Sequence, residues 1–594
     1  MILVSGIVAY LFESSLAARR LAGDTLWAAV YAMNVKLAAE GTDYFAAESA
    51  PSTLQHFWSL AVEEQFYLVW PPLLLLVSGV LLRRGGGKHG RGIPVSRKHA
   101  GAALALVGLT SLGLSIWQTG VAQTWAYFGL HTRAWELTAG ALIAVAIPAL
   151  NRLPAVLGGV LSWLGLGCVG IAVLALDENT AFPGYAAMLP VAGAVLVVLG
   201  GCAAAPWGAE RVLGLPPLQA IGAVSYSWYL WHWPVLMMMP AILGWESTPL
   251  NNLFVAFIAF LISVIGYTNV EVPFRTTRWI ASTGRGLLFG LAVTTALAAA
   301  AAAVFVALPQ AIGSGSAITV DTGDASTVRD AVGTRAVPSN LTPTPEQAAK
   351  DAPASRADGC HQPLQEDQLK RPCDYGDRAG DKTMLLFGDS HADQWLPALD
   401  LIAAGNGYRL FSHTKAACPA AEMVVRDRKL GREYTECTSW RRQVMAEITR
   451  ARPDVVLLSS SYAVGNKSPG DWSRGMTNTV SALTAQGIRV VVIGDTPRRD
   501  GETGPDCVAA NLGDVSVCTT PQDQALPFGE ISAAVLQSVQ RSGGLTVDPT
   551  NWFCADRQCP AVIGNYLVHR DQSHVSGSYV RFLAPELERT LELA

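Results

Sequence analysis

Charged residues are scarce in this sequence. Asp, Glu, Lys and Arg make up 15% of the 594 residues, against roughly 25% in typical soluble proteins. The scarcity is confined to one part of the chain, because residues 1–308 hold 28 of the 90 charged residues. A strongly basic surface is also lacking, since the net charge is −4, and this argues against a nucleic-acid-binding protein. The uneven distribution predicts a membrane-embedded part followed by a soluble part.

Cysteine is almost missing from the membrane part, which contains only Cys168 and Cys202. The other cysteines lie in the soluble part, and an even number of cysteines in a soluble domain indicates either disulfides in an oxidising compartment or metal ligands. The sequence lacks the clusters of cysteine with nearby histidine that zinc sites favour, so we expect disulfides, no metal site, and a soluble part outside the cytoplasm. The simplest pairing is sequential: Cys360 with Cys373, Cys418 with Cys437, Cys507 with Cys518, and Cys554 with Cys559.

Eight apolar runs approach the roughly 20 residues that a membrane span requires. Basic residues cluster in alternate loops between these runs, and such loops stay on the cytoplasmic side. Loop 83–98 is the most basic, whereas loops 119–125, 177–183 and 241–251 contain no Lys or Arg. The last run should then lead outward, in agreement with the cysteines. The predicted spans are 64–82, 99–118, 132–150, 156–176, 184–202, 218–240, 252–270 and 286–308.

The segments at the two ends of the membrane part lack a clear spanning pattern. Residues 25–38 are few and include Asn34 and Lys36, so we expect a re-entrant or interfacial segment. Residues 1–12 are too few to cross a bilayer and lack the basic region and cleavage site of a signal peptide. Residues 309–358 have no hydrophobic period and predict a flexible extracytoplasmic linker. The expected organisation is therefore a membrane domain over 1–308, that linker, and an extracytoplasmic domain over 359–594.

Two adjacent carboxylates, Glu63 and Glu64, stand at the outer end of the first predicted span. Ionisable groups inside a membrane are unfavourable and are functional candidates. An equally good interpretation is a helix start, in which Ser59 and Glu63 act as caps and the neighbouring aromatic residues form an interfacial belt.

Three further polar residues lie in or beside predicted spans. Arg133 and Glu136 are three residues apart at the entrance of one span, a spacing that permits an ion pair. His232 stands in an aromatic helical segment, where a lone histidine is more often a packing residue than a catalyst.

The soluble part alternates short β-rich runs with helical stretches, which predicts a parallel sheet in a three-layer α/β domain. Catalytic groups of such sheets collect at the carboxyl ends of the strands. Ser390 follows the first run directly, within Gly388, Asp389, Ser390 and His391, and we expect it to be exposed with its backbone N–H near an oxyanion. The predicted strands are 383–387, 408–412, 454–459, 489–494 and 545–548.

A second motif, Asp571 and His574, precedes a short terminal helix. A serine nucleophile needs a base to take its proton, and that base needs an orienting acceptor. These two residues can supply both from one loop. The alternative is an ordinary turn serine and a solvated histidine.

The strings HFWSLAVEEQFYLVWP, RAWELTAGAL and SYSWYLWHWPV, followed by Glu271 to Arg275 in EVPFR, resemble the membrane-bound acyltransferase family 3. The whole chain resembles the subgroup with a fused C-terminal SGNH domain, which O-acetylates cell-surface polysaccharides. The resemblance implies a multi-span α-helical membrane domain followed by an α/β SGNH-hydrolase-like domain. It also implies no bound cofactor, a cytoplasmic donor such as acetyl-CoA or another acyl-CoA, contact with membrane lipid, and a cell-surface glycan or glycolipid acceptor.

The resemblance also assigns roles to residues of the soluble part. Ser390 becomes the nucleophile, His574 its base, and Asp571 the orienting carboxylate. Ala417 stands where the family has an oxyanion-binding glycine, and Asn466 is the nearest match to the family's asparagine, so both are weaker oxyanion candidates.

One part of the family pattern is missing from this sequence. The family's first span carries a basic residue and a histidine held to be essential for acyl transfer, and a second span with a cytoplasmic Arg-rich motif follows. Residues 1–12 resemble the end of the third span, and Arg19 and Arg20 lie on the wrong side to substitute for the Arg-rich motif. We interpret the chain as N-terminally truncated relative to the family, through a late start site or a truncated gene.

Three functions follow as hypotheses. The first is an O-acyltransferase that moves an acyl group across the membrane and passes it through Ser390 to a sugar hydroxyl. The second is a membrane-anchored SGNH esterase that deacylates envelope glycans. The third is a non-enzymatic glycan transporter or binding protein.

Overall fold

The computed structural model describes residues 1–12, 14–42, 52–84, 97–150, 152–177, 180–203, 205–245, 248–277, 282–308, 310–320, 326–332, 334–370, 373–427, 430, 432–499 and 502–592. The chain divides into two compact units. The first consists mainly of residues up to Leu308, and the second mainly of the residues that follow.

The first unit is helical and membrane-embedded. Five of its helices are long and apolar enough to cross a membrane, and each coincides with a predicted span. Most of their apolar side chains face outward, because a helix surface that contacts lipid does not need polar side chains. The five are Arg97–Val121, Gln123–Leu150, Ala155–Ala175, Pro249–Thr276 and Thr283–Ala307.

The other three predicted spans fall on helices Phe57–Arg84, Met188–Gly201 and Pro216–Leu243. Met188–Gly201 has only 14 residues, so the span predicted over 184–202 is shorter than expected. The segment predicted to be re-entrant or interfacial is broken, because helix Ser15–Ala29 ends before helix Met33–Thr42 begins. The remaining helices of this unit are Ile2–Phe12 and Glu210–Leu213.

Glycines allow two membrane helices to approach closely. A Cβ atom on Gly165 would lie 2.6 Å from the Gly193 carbonyl oxygen, and one on Gly200 would lie 2.5 Å from the Gly158 carbonyl oxygen. Small residues at such contacts let backbones pack where lipid provides no hydrophobic driving force. The glycines therefore explain the pairing of Ala155–Ala175 with Met188–Gly201.

The second unit is built on a seven-stranded sheet, and its strands are β1 (His361–Gln362), β2 (Cys373–Gly376), β3 (Lys382–Gly388), β4 (Tyr408–Lys415), β5 (Val455–Ser459), β6 (Arg489–Ile493) and β7 (Leu545–Val547). Its strands run in the order β1-β4-β3-β5-β6-β7, and all these neighbours are parallel, while β2 pairs with β4 antiparallel. The prediction of a parallel sheet is confirmed, since each of the five β-rich runs lies on one of its strands.

Helices cover both faces of this sheet and produce three layers. Successive side chains of a strand point to opposite faces, and on β3 Met384 and Leu386 pack into one buried cluster while Leu385 and Phe387 pack into another. The helices and helical turns of this unit are Ser326–Ala331, Ala348–Lys350, Ala354–Ala357, Ser390–Asp393, Leu396–Gly405, Thr435–Ala451, Pro469–Thr484, Gly504–Ala510, Val515–Cys518, Gln522–Ala525, Gly529–Arg541, Thr550–Trp552, Gly577–Phe582 and Ala584–Leu591.

The segment expected to be a flexible linker is packed over much of its length. Val337, Ala348 and Ser355 are fully buried, and the Gly577 N–H donates to the Asp351 carbonyl at 2.9 Å. Isolated apolar side chains and backbone hydrogen bonds anchor this segment, and neither produces a hydrophobic period in the sequence.

Four disulfides join the eight cysteines of the second unit in the expected sequential pairs. Cys168 and Cys202 are not bonded. The disulfide prediction is therefore confirmed. The two cysteines of each pair are close in sequence, with separations of 5 to 19 residues, so each bond closes a short loop.

Removal of the Cys418–Cys437 disulfide should destabilise the second unit. The bond closes a segment of 19 residues between the end of β4 and helix Thr435–Ala451, and a loop of that size corresponds to about 3 kcal/mol. We expect the double variant Cys418→Ala/Cys437→Ala to unfold at a lower temperature than the unmodified chain. The midpoint of thermal unfolding would be measured by tryptophan fluorescence, with the protein in detergent. The matched control is Cys168→Ala/Cys202→Ala, and an equal midpoint in both double variants would contradict the expectation.

Candidate active site

Ser390 begins a helix directly after β3. The turn requires Gly388, because its φ is +155° and a Cβ there would lie 2.0 Å from the Ser459 carbonyl oxygen of β5. Asp389 caps the helix, since its carboxylate accepts the N–H of His391 at 2.8 Å and that of Ser461 at 2.9 Å. Burial raises the pKa of the Asp389 carboxyl to about 6, although these hydrogen bonds and His391 oppose the shift.

Ser390 differs from expectation in its exposure. Only 5% of its surface is exposed, whereas the sequence predicted an exposed serine. The two neighbours of Ser390 in sequence contact segments that follow β5 and β6, since Asp389 accepts the Ser461 N–H and His391 Nδ1 lies 2.6 Å from Asp495 Oδ1. A buried position limits access of bulk water to the hydroxyl.

Asp571 and His574 form a hydrogen-bonded pair, which we call the catalytic pair after the role predicted for it. His574 Nδ1 lies 2.9 Å from one Asp571 carboxylate oxygen and 3.1 Å from the other. The same carboxylate accepts the backbone N–H groups of Ser573 and His574. Both side chains are buried, so the alternative of a solvated histidine does not describe this loop.

The charge of the catalytic pair is set by its surroundings. Burial works to raise the pKa of the Asp571 carboxyl, but the charges of His574 and Arg570, together with the hydrogen bonds, hold that pKa well below its usual range. Arg570 Nη2 lies 3.9 Å from Asp571 Oδ2. Asp571 is therefore an ionised acceptor at neutral pH, which is the form that orients a histidine base.

Side-chain contacts hold the segments of Ser390 and His574 beside each other. Gln394, at the end of the Ser390 helix, accepts the Val575 N–H at 3.0 Å although the two residues are 181 positions apart. The ring of His391 lies 5.0 Å from that of His574. The two motifs thus meet at the carboxyl edge of the sheet, where parallel α/β folds collect catalytic groups.

The two weaker oxyanion candidates lie in loops after β4 and β5. Ala417 has a φ of +48° and precedes the disulfide-bonded Cys418. Asn466 has a φ of +47° and is exposed. Their role remains a prediction, and the backbone N–H of Ser390 remains the other oxyanion candidate.

Asp393 organises a buried cluster that the sequence analysis missed. Its carboxylate lies 3.2 Å from Arg356 Nε and accepts hydrogen bonds from Ser355 and Thr414 at 2.5 and 3.2 Å. Burial lowers the pKa of the neighbouring His361 to about 3, so that imidazole is neutral. The one signal in the sequence for this cluster was that Asp393 lies three residues after Ser390.

A second histidine–aspartate pair was also missed. His391 Nδ1 lies 2.6 Å from Asp495 Oδ1. The sequence offered one signal for this pair: Asp495 comes directly after the predicted strand that became β6, much as Ser390 follows the predicted strand that became β3.

In the membrane unit, Glu63 and Glu64 lie inside a helix rather than at its start. The helix begins at Phe57, so Ser59 does not cap it. The Ser59 hydroxyl instead bonds to the Tyr229 hydroxyl, and Tyr67 donates to Glu63 at 2.9 Å. The capping interpretation therefore fails, whereas a functional role for the two carboxylates stays a prediction.

Arg133 and Glu136 form the ion pair that their spacing permits, with 3.1 Å between Nε and Oε1. The Arg133 guanidinium also lies within 5.6 Å of the ring centroids of Trp58, Tyr127 and Phe182. Cation–π contacts of this kind compensate a charge in a low-dielectric setting.

His232 bonds through Nδ1 to the Tyr229 carbonyl at 2.6 Å, and its ring lies 5.6 Å from that of His56. The hydrogen bond fits a packing role, and the proximity of a second imidazole was not foreseen. Within the described ranges, no group of three or more His, Cys, Asp or Glu side chains is arranged to hold a metal ion.

The chain combines a helical membrane unit with a parallel α/β domain, which carries a serine after its first long strand and an Asp–His pair in a loop near its C-terminal end. Residues 1–268 match the family described as "Acyltransferase domain", and residues 359–589 match "SGNH domain (fused to AT3 domains)". The chain therefore belongs to the acyltransferase proteins that carry a fused SGNH domain.

Curated relatives are about a quarter identical to this chain over the regions that align. A putative peptidoglycan O-acetyltransferase of Bacillus subtilis is 28% identical over 275 residues, which is 43% of this chain and 40% of that protein. A peptidoglycan O-acetyltransferase of Listeria monocytogenes is 25% identical, over 44% of this chain and 42% of that protein. An O-acetyltransferase of Staphylococcus aureus is 28% identical, over 42% and 41%. The matches thus span about two fifths of the relatives' length.

One solved structure, the periplasmic domain of a Salmonella lipopolysaccharide acetyltransferase, aligns at 17% identity with a TM-score of 0.30. The alignment covers 36% of this chain and 85% of that one.

Proposed function

We propose that this protein transfers an acetyl group to hydroxyls of a cell-wall polysaccharide. The observation that carries the proposal is the buried catalytic pair beside the Ser390 turn, in a chain that also contains an acyltransferase membrane domain. The curated relatives named as peptidoglycan O-acetyltransferases support a glycan acceptor. The donor is acetyl-CoA or another acyl-CoA on the cytoplasmic side, and the membrane unit moves the acyl group outward.

The proposed orientation places the second unit outside the cytoplasm. Four disulfides support this, because such bonds persist in oxidising compartments. The basic loop 83–98 supports a cytoplasmic position for that side of the membrane unit. Glu63, Glu64, Arg133, Glu136 and His232 are the candidates for handling the acyl group within the membrane.

In the second unit, acyl transfer proceeds in two steps. In the first step His574 takes the proton of the Ser390 hydroxyl while Ser390 Oγ bonds to the acyl carbon, the bond from that carbon to the donor's leaving group breaks, and His574 gives the proton to that leaving group. In the second step the acceptor oxygen bonds to the acyl carbon, the bond from that carbon to Ser390 Oγ breaks, and His574 moves the acceptor proton to Ser390. Asp571 stabilises the charged His574 throughout.

The burial of Ser390 favours transfer over hydrolysis. A site with little bulk water slows the competing attack of water on the acyl-serine. The esterase hypothesis requires the opposite preference, so the fate of the acyl group separates the two functions.

Cell-wall analysis tests the proposal directly. The full chain would be expressed in a bacterium whose own cell-wall O-acetyltransferase genes are deleted, and ester-linked acetate would be measured after release from purified wall by mild alkali. We expect ester-linked acetate above the empty-vector level. Its absence would contradict the transferase, and loss of acetate from a normally acetylated wall would instead identify an esterase.

A further inference from the structure

The turn that follows β4 carries a backbone N–H group without a hydrogen-bond acceptor. Gly388 of β3 is paired in register with Thr414 of β4. Ser390 and Ala417 therefore leave neighbouring strands at the same edge of the sheet, two and three residues beyond that pair. Ala417 is half-buried, and its N–H donates to no acceptor in the part of the chain that the structure describes. Backbone N–H groups inside a fold normally have a partner, so this one is available to a group that enters the site.

Ala417 adopts a backbone conformation that alanine does not favour. Its φ of +48° lies in the left-handed region, where the Cβ atom comes too close to the following carbonyl oxygen. A residue in such a conformation persists only where the surrounding structure fixes it, and residues of this kind cluster at active sites. The contacts that hold the turn therefore have to be identified.

Lys415, at the end of β4, makes three of these contacts. Its side chain is fully buried, and Nζ donates to the carbonyl groups of Pro363, Leu364 and Glu366 at 2.5, 3.1 and 2.5 Å. Nζ also lies 5.4 Å from the ring centroid of Tyr434. Burial lowers the pKa of this amine to about 8, so the group is mainly the ammonium at pH 7. Charge-assisted hydrogen bonds are the strong ones, and here they tie the end of β4 to the segment after β1.

Three hydrogen bonds and a disulfide continue from Lys415 through the turn. Ala416 is bonded through both its N–H and its carbonyl group, at 2.8 and 3.0 Å. The Cys418 N–H donates to the Lys415 carbonyl at 3.2 Å, and its sulfur is bonded to that of Cys437. The residues on both sides of Ala417 are thus held in place, and this fixes the direction of the Ala417 N–H as well.

We propose that Lys415 is a positioning residue, which holds this turn so that the Ala417 N–H donates a hydrogen bond to the acyl oxygen during reaction at Ser390. The inference rests on the proposed function and adds the residue that prepares the oxyanion contact. When Ser390 Oγ bonds to the acyl carbon, the electron pair of the carbonyl double bond moves to the carbonyl oxygen, which becomes negatively charged. A donor that is fixed in advance stabilises this charge without having to reorganise. The same contact forms again when the acceptor oxygen bonds to the acyl-serine.

A comparison of two esters separates this role from a purely structural one. In 4-nitrophenyl acetate the negative charge develops on oxygen, whereas in 4-nitrophenyl thionoacetate it develops on sulfur, a larger atom and a weaker hydrogen-bond acceptor. A misplaced donor therefore slows the reaction of the acetate more than that of the thionoacetate, while a general loss of structure slows both equally. The readout is the ratio of the two burst rates of 4-nitrophenol, which report acylation of Ser390, measured on the full chain in detergent at pH 7 with saturating ester.

We expect Lys415→Met to slow the burst with 4-nitrophenyl acetate about 10- to 100-fold, since loss of one oxyanion donor costs about 10²- to 10³-fold and a displaced donor costs less. The ratio of the acetate rate to the thionoacetate rate should fall severalfold. Lys415→Gln keeps a neutral amide that can donate to carbonyl groups, so the ratio should fall less. This second variant decides the question if Lys415→Met does not fold.

The matched control is Arg441→Met. Arg441 is also a buried cation, and its guanidinium donates to three backbone carbonyl groups, those of Pro419, Ala421 and Met423. These three residues follow Cys418, so the contacts that hold the Ala417 turn remain. Arg441→Met should lower the thermal midpoint but leave the ratio of the two burst rates unchanged.

Several results would overturn the inference. An equal slowing with both esters in the two Lys415 variants would leave Lys415 with a structural role only. Unchanged burst rates in these variants, or the same fall of the ratio in Arg441→Met, would also contradict it. The unmodified chain separates this inference from the proposed function: without a Ser390-dependent burst the proposed function fails, whereas a normal burst with an unaltered ratio in the variants removes only the role of Lys415.

Discussion

Replacement of Ser390 with alanine is expected to abolish acyl transfer by the full chain. Without the hydroxyl no acyl-serine can form, and the remaining groups act only on direct attack by the acceptor or by water. Loss of a serine nucleophile elsewhere lowers rates by about 10⁴-fold or more, and we expect a loss of that order. The measurement is the rate of chitotetraose acetylation from 4-nitrophenyl acetate, together with the 4-nitrophenol burst.

The matched control for this variant is Ser412→Ala. Ser412 is also buried, lies on β4 of the same sheet, and its hydroxyl has no hydrogen-bond partner in the described part of the chain. Its removal should leave transfer and burst unchanged. A burst that persists in Ser390→Ala would show that another residue is acylated, and the proposed roles of Ser390 and the catalytic pair would then be wrong.

Asp571→Asn should produce the second-largest loss of activity. The asparagine oxygen can still accept the backbone N–H groups of Ser573 and His574, so the loop should keep its shape. An amide carries no negative charge to stabilise the protonated His574, and its NH₂ group favours the wrong tautomer of the ring. By comparison with other serine enzymes we expect a drop of about 10³- to 10⁴-fold in kcat, measured by the same acetylation assay.

A second buried aspartate provides the control for Asp571→Asn. Asp427 accepts the Leu430 N–H at 2.9 Å, a contact that an asparagine oxygen can also make. Asp427→Asn should therefore keep both the fold and full activity. If Asp571→Asn retained more than about a tenth of the activity, the orienting role of the carboxylate would be excluded.

The depressed pKa of Asp571 also has a consequence for stability. A carboxyl whose pKa is lower in the folded state stabilises that state at every pH above its unfolded value, near pH 4, and this contribution is lost as the pH falls toward the folded-state pKa. The ionised form that catalysis requires is thus also the form that the fold favours at neutral pH.

Much of the fold could be predicted because its signals are local. The β-rich runs of β3 to β7 each combine branched apolar residues with a flanking turn, and each became a strand of the sheet. The disulfides were equally predictable, since the members of each pair are close in sequence. The membrane helices followed from runs of apolar residues, although Met188–Gly201 proved shorter than its run suggested.

Contacts between distant residues could not be predicted in the same way. The sequence identified Ser390 and His574 as candidates but gave no sign that Gln394 would bond to Val575 between them. The linker prediction failed over 334–358 for the same reason, because Ser355 is anchored by Asp393, which belongs to another element.

The sequence by itself determined the division into an apolar helical part and a cysteine-rich α/β part, because charge, hydropathy and cysteine spacing are properties of neighbouring residues. It also determined which serine, histidine and aspartate are candidates for catalysis. Only the tertiary structure decided that Ser390 is buried and that His391 is held by Asp495. These features arise where the ends of parallel strands converge, and the order in which strands pair is set by packing across the whole sheet rather than by any single segment.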